Sequence, residues 1–255
     1  MHRRHAMLPA IKAAPFIALL CSLAFTRDKA GPGPQTIAPL AALTFDDGPS
    51  SEYTAAILDT LKRYGVHATF FVIGRNAEKY PELVKRESME GHAIGNHTYS
   101  HPLLTQFETK EQLHREIQKT QDIIARETGR RPDLFRPPHG WRSPWLISEC
   151  ERDGYNVVNW TIDPKDWKHP ASNVIVKRVM RKCGEVTIVL LHDGLELKND
   201  PGQENTVRAL STIIGEFRLK GYRFVTINEL IADSTYRQEF RALVRVIAEP
   251  SKAYR

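Results

Sequence analysis

The sequence predicts an α/β fold in which parallel strands close into a barrel within a single domain. Three observations carry that expectation. Short apolar or β-branched runs alternate with longer helical patterns from Leu40 onward. Most helical patterns stop at a glycine, and polar residues gather where the apolar runs end. A chain of 255 residues can bury one sizeable core, and one barrel of this kind commonly fills that length.

Seven strand candidates emerge, over residues 41–45, 68–73, 92–96, 134–135, 156–160, 187–191 and 223–226. Helical periodicity covers 53–64, 81–89, 110–128, 144–153, 174–182 and 207–220. Gly65, Gly129, Gly154, Gly184 and Gly221 follow these helices, each expected in the left-handed conformation that closes a helix. The main domain is thus placed at 35–233. In the tail, 234–255, Phe240, Leu243, Val244 and Ile247 recur at helical spacing, predicting an amphipathic helix that packs on the barrel exterior.

Residues 1–34 read as an export signal or an N-terminal anchor with a linker. A basic stretch ends at Lys12, an apolar segment too short to span a bilayer comfortably runs over 13–25, and a polar breaker run follows. A buried N-terminal helix is the other reading. With the signal removed, no stable membrane span is expected, and the protein is expected to be an exported monomer of a bacterial envelope or its surroundings. Of the cysteines, Cys150 and Cys183 would remain; they either pair in an oxidising compartment or stay as thiols.

The net charge of +6 raises the question of nucleic acid. Residues 1–24 carry +3 and residues 237–255 another +3, so the body between them is neutral. A neutral barrel has no electrostatic bias toward a polyanion, so a nucleic-acid reading loses its main support and no nucleic-acid partner is expected.

In parallel barrels the loops after the strands converge on one face, where functional side chains collect. Here the first strand runs into Asp46-Asp47-Gly48-Pro49, the third into His97 and His101, the fourth into Arg136, the fifth into Asp163 and Asp166, and the sixth into His192. His97 and His101 are spaced as on one helical turn, within reach of a common cation. An acid from the first strand would complete three protein ligands and leave a position open for water, the pattern of a catalytic metal site. Neighbouring residues leaving a strand point in different directions, so one of Asp46 and Asp47 can bind metal while the other handles a proton. A solvated turn or helix cap is the alternative for this pair. Arg136 in its Pro-stiffened loop is either a fixed cation for the site or a surface residue. His192 caps a buried strand and can donate a proton if Asp166 holds it charged. His67, His92, His114 and His169 read as structural or solvated, with His92 the nearest rival to the ligand pair.

Together these motifs resemble the polysaccharide deacetylase family, the carbohydrate esterases with a nodulation-protein-type deacetylase domain. The resemblance rests on Thr44-Phe45-Asp46-Asp47-Gly48-Pro49, His97-Thr98-Tyr99-Ser100-His101-Pro102, Arg136-Pro137-Pro138-His139-Gly140, Asp163-Pro164-Lys165-Asp166-Trp167 and Leu190-Leu191-His192, in order across residues 40–230. It implies a distorted (β/α)7 barrel that removes N-acetyl groups from N-acetylglucosamine-containing polysaccharide, releasing acetate, and for an exported enzyme that polymer is peptidoglycan or an exopolysaccharide, with peptidoglycan favoured. It implies Asp46 as general base oriented by Arg136, and Asp47, His97 and His101 as ligands of one divalent metal. Zinc fits best, with cobalt, nickel or manganese able to occupy such a site. His192 would be the general acid tuned by Asp166, and Leu190 with Trp167 would receive the acetyl methyl. The third segment departs from the family, which usually has Tyr where this chain has His139, a residue whose backbone N–H would help hold the oxyanion. Trp141, Arg142 and Trp145 either stack on sugar rings or pack the following helix. Two rival functions share the motifs: an O-acetyl esterase of the xylan type, and a catalytically silent glycan-binding envelope protein.

Overall fold

The computed structural model describes residues 38–103, 109–141, 143–194 and 202–235. The expected export segment, nearly all of the C-terminal tail, and Arg142 lie outside the described residues.

Seven parallel strands are present among the described residues: β1 (Leu40–Asp46), β2 (Thr69–Val72), β3 (Ala93–Asn96), β4 (Leu134–Phe135), β5 (Asn156–Val157), β6 (Val186–His192) and β7 (Arg223–Phe224). Between them lie α1 (Tyr53–Tyr64), α2 (Gly74–Lys79), α3 (Pro81–Met89), α4 (Lys110–Thr128), α5 (Pro144–Arg152), α6 (Ser172–Met180) and α7 (Glu204–Leu219), and α8 (Ile227–Ala232) follows β7. The sheet runs β5-β4-β3-β2-β1-β6. It curls round so that the chain after β5 meets β6 through the isolated bridge Ile162↔Val189. The barrel is distorted at β1. One edge of β1 pairs with β6 along its whole length, and the other is shared, its start pairing with β7 and its end with β2.

β1 is apolar through most of its length because both of its faces are buried, as expected of a parallel strand covered by helices. Ala41, Leu43 and Phe45 join a core between sheet and helices with Leu58, Phe70, Val189 and Ile213. Leu40 and Ala42 point the other way, into the barrel interior with Phe71, Leu134 and Ile188. The period of two carries this inner face onward to Thr44 and Asp46 on β1 and to Leu190 and His192 on β6. The register pairs Thr44 with Leu190 and Asp46 with His192. Strand alternation alone therefore delivers an acid and a histidine side by side at the mouth of the barrel.

Helix ends largely follow the glycine rule: Gly65, Gly129, Gly154 and Gly221 have φ of 56, 72, 83 and 76°. Gly184 does not. It lacks a positive φ, because α6 already ends at Met180, and its N–H donates to Thr187 Oγ1. α2 and α8 escape periodicity because six residues are too few to show it. α8 is started instead by a capping box, Thr226 with Glu229. No helix among the described residues is long and apolar enough to cross a membrane.

Candidate active site and metal centre

Asp46 ends β1, and Asp47 follows it in the left-handed region at φ 71°. That reversal turns the two carboxylates in different directions. The sharp turn is made by Asp47 rather than Gly48. Gly48 is required for space, since a Cβ there would stand 2.2 Å from the Asp193 carboxylate. Gly194 is equally constrained, its Cβ position lying 1.9 Å from the Asp47 carbonyl oxygen. The loop is pinned by Asn76 Nδ2, which donates to the Asp47 carbonyl at 2.7 Å, by Ile73 N, which donates to the Gly48 carbonyl, and by Asp193 N, which donates to the Asp46 carbonyl.

His97 and His101 flank a tight loop after β3, not a helical turn. Thr98 and His101 take positive φ of 66 and 55°, and this fold of the backbone brings the two rings to 4.9 Å between centroids. His97 Nδ1 lies 2.6 Å from the Arg136 carbonyl oxygen, which can only accept, so the ring proton sits on Nδ1 and the Nε2 lone pair faces the site.

Asp47 Oδ1 is 3.5 Å from His97 Nε2 and 3.3 Å from His101 Nε2. It is buried and makes no hydrogen bond among the described residues. Two donors held at 2.0–2.1 Å on a tetrahedral ion stand about 3.3 Å apart, so Asp47 Oδ1 already stands from each imidazole at the spacing of two ligands on one divalent cation. Asp47, His97 and His101 are also the group of metal-capable side chains whose ligand atoms converge among the described residues. Burial raises the Asp47 pKa, yet contact with His97 and the charges of His101 and His192 outweigh it and pull the carboxyl well below the usual range. A carboxyl that is to hold a metal must be deprotonated, and this downward shift favours that form.

On one flank of the triad is Asp46, whose Oδ1 accepts from Arg136 Nη1 at 2.6 Å. Arg136 is fully buried, and its other donors reach Thr44 Oγ1 and the carbonyls of Val158 and Asn159. Its guanidinium also lies 4.0 Å from the Phe71 ring centroid. The surface alternative for this arginine is overturned. On the other flank Asp166 Oδ1 meets His192 Nδ1 at 2.9 Å, while Asp166 Oδ2 accepts from His192 N and Thr206 Oγ1. Burial alone would lower the His192 pKa, but the charge and hydrogen bond of Asp166, with Asp47 and Asp46 behind, push it up to about 10. Asp193 next to it is pushed up to about 7, as burial and the charges of Asp47 and Asp46 outweigh the Thr54 hydrogen bond.

His139 stands in the left-handed region at φ 56°, its ring 4.7 Å from that of His101. Leu190 is buried but belongs to none of the apolar clusters, and Trp167 is half-exposed on the 3-10 turn Asp166–Lys168. Trp141 and Trp145 pack against the apolar cluster that contains Leu113, Phe135 and Leu146, so a packing role is observed. Asp163 caps Lys165 N within its own loop. His92 is removed from the site: it precedes β3, at the opposite end of the strand from His97, and its Nδ1 accepts from Ala68 N. Asn76, Asn96, Glu116 and Asp193 make hydrogen bonds to the loops around this site without having stood out in the sequence. A polar residue inside an apolar stretch at buried periodicity, as Asn96 is, was the one available signal.

The polysaccharide deacetylase model matches residues 33–158. A peptidoglycan-N-acetylglucosamine deacetylase of Bacillus cereus is 41% identical over 194 residues, covering 75% of this chain and 88% of that protein. The chain belongs to the polysaccharide deacetylase family. The peptidoglycan-N-acetylmuramic acid deacetylase PdaC of Bacillus subtilis is 42% identical over 202 residues, covering 78% of this chain, which spans only 41% of PdaC's length. The crystal structure of the Bc1960 peptidoglycan N-acetylglucosamine deacetylase superposes with a TM-score of 0.72 at 39% identity, covering 79% of this chain and 92% of that one. Membership accounts for the distorted barrel and for the order of the five motifs along this chain.

Proposed function

We propose that this polysaccharide deacetylase is a metal-dependent N-deacetylase that acts on N-acetylglucosamine-containing polysaccharide, with peptidoglycan as its substrate and acetate as a product. The observation that carries the reading is Asp47 Oδ1, buried without a hydrogen bond and facing two imidazole Nε2 atoms at ligand spacing. Asp47, His97 and His101 would hold one divalent cation, zinc by the chemistry of the donors. A cation bound there supplies polarisation of the acetyl carbonyl and acidification of a water.

The chain's own residues do the rest. Asp46, held by Arg136, accepts the proton of the attacking water. The backbone N–H of His139 is placed by the proposal at the oxyanion, and Leu190 with Trp167 at the acetyl methyl. His192, charged through neutral pH, gives its proton to the amine nitrogen as the C–N bond breaks. Water is consumed, and acetate and a free amino sugar leave. The relatives' names, which specify peptidoglycan glucosamine and muramic acid, support a cell-wall glycan over xylan, and the leader-like residues 1–34 support export to the envelope.

The test is acetate release from N-acetylglucosamine oligomers, peptidoglycan and acetylated xylan, with metal content measured alongside. Asp46→Asn is expected to keep its metal and lose about 10²–10⁴-fold in kcat, whereas Asp47→Ala loses metal and turnover together. Full activity in either variant sinks the assignment of roles, and release from xylan alone makes the protein an O-acetyl esterase.

A further inference from the structure

The loop that carries the two histidines has an unusual problem. From His97 to His101 it belongs to no helix or sheet, and Thr98 and His101 sit at positive φ, a conformation that costs a non-glycine residue roughly 1–2 kcal/mol. Something outside the loop must hold it.

Every backbone N–H of the segment has an acceptor. His97 N donates to the Val72 carbonyl, Thr98 N to Asn96 Oδ1, and His101 N to Thr98 Oγ1. The two in the middle, Tyr99 N and Ser100 N, both donate to Glu116 Oε2, at 2.9 and 2.8 Å. Glu116 Oε1 accepts from Ser100 Oγ at 2.9 Å. One carboxylate thus takes three hydrogen bonds from two adjacent loop residues. The neighbouring residue of α4 adds a second anchor, because the Ile117 carbonyl accepts from Asn96 Nδ2 at 2.8 Å, and Asn96 is the residue that holds Thr98 N. The carbonyls of Thr98 and Tyr99 are taken by Gly74 N and Arg75 N, so the loop is gripped from α2 on one side and α4 on the other.

We infer that Glu116 is a positioning residue for the metal centre: its carboxylate clamps the Tyr99–Ser100 turn so that His97 and His101 present their Nε2 atoms at ligand spacing before any cation arrives. The inference rests on the reading of Asp47, His97 and His101 as metal ligands and deepens it. Its physical content is preorganisation. Without the clamp two peptide N–H groups lose their acceptor, the strained turn relaxes, and binding must then restore the ligand geometry. Partners that orient ligands in this way are worth about 10–100-fold in metal affinity when removed.

Two substitutions separate reach from charge. Glu116→Asp keeps the charge but shortens the arm by one methylene, so it cannot span the three donors. Glu116→Gln keeps the reach, its carbonyl oxygen able to accept from both N–H groups while its amide faces Ser100 Oγ. Zinc dissociation constants would be measured by chelator competition on the full chain, and the Co2+-substituted protein's visible absorption would report coordination geometry. Glu116→Asp is expected to weaken zinc binding by about 10–100-fold and to alter the Co2+ bands, and Glu116→Gln is expected to fall between it and the wild type. Lys119→Ala, which removes the ammonium 3.5 Å above the Tyr99 ring but leaves the backbone clamp, should bind zinc like the wild type. A Glu116→Asp protein with wild-type zinc affinity and an unaltered Co2+ spectrum overturns the inference, as does an equal loss in Lys119→Ala. A wild-type protein that fails to bind zinc while folded overturns the underlying metal reading instead.

Discussion

The two flanks of the metal triad are built from the same parts with opposite polarity. On one side a buried cation, Arg136, grips the carboxylate of Asp46; on the other a buried carboxylate, Asp166, grips the imidazole of His192. Both pairs sit at strand ends, and Asp46 and His192 are direct register partners on neighbouring strands. The difference lies in which member faces the site. In the proposed reaction the carboxylate fixed by a buried cation would serve as proton acceptor, and the imidazole fixed by a buried carboxylate as proton donor. Environment, not residue type alone, divides the labour between them.

Breaking the arginine side has the largest expected effect. Arg136→Ala removes four hydrogen bonds and leaves Asp46 buried without its counter-charge, which is expected to cost about 3–5 kcal/mol of stability along with activity. Urea unfolding of the metal-free protein measures it, and a loss below 1 kcal/mol would mean the pair is solvated. Arg136→Lys should fare little better, because an ammonium cannot reproduce the planar fork that reaches Asp46, Thr44 and two carbonyls at once.

Breaking the histidine side should lower turnover without unfolding the protein. His192→Ala is expected to slow deacetylation by about 10²–10⁴-fold, and the deficit should shrink on an activated anilide or ester whose leaving group departs without a proton. Asp46→Asn should be slow on both substrates. If both variants respond alike to the leaving group, the division into acid and base fails.

The smaller effects concern pH. The folded His192 pKa of about 10 lies above its ordinary value of 6.5, so the folded protein holds the proton more tightly than the unfolded chain. Stability from this pair is fully present below pH 6.5 and is lost as pH rises through about 10. Asp166→Asn removes the main cause of the shift. It should flatten that loss in the metal-free protein and move the alkaline limb of kcat/KM to lower pH. An unmoved limb would assign it to another group.

Much of the fold was legible because parallel strands buried on both faces leave near-continuous apolar runs, and α1, α3 and α4 carry full helical periodicity between clear ends. β5 was overextended: the ladder with β4 stops at Val157, and the following residues cross over to reach β6 at Ile162. The spacing of His97 and His101 pointed to a shared cation for a local reason that the loop replaces. The helical turn it invoked is absent, and the rings meet only because Thr98 and His101 adopt positive φ.

By itself the sequence determined the strand and helix order, the residue types at each strand end, and the alternation that sends Asp46 and His192 inward. Those are properties of local periodicity, written in residues a few positions apart. Only the tertiary structure decided the register that makes Asp46 and His192 neighbours, the contact with Asp166 that raises the His192 pKa against the effect of burial, the pairing of Arg136 with Asp46, and the grip of Glu116 on a loop 16 residues away. Distances and dielectric surroundings between remote segments arise when the sheet curls and the helices close over it, and no local pattern encodes them.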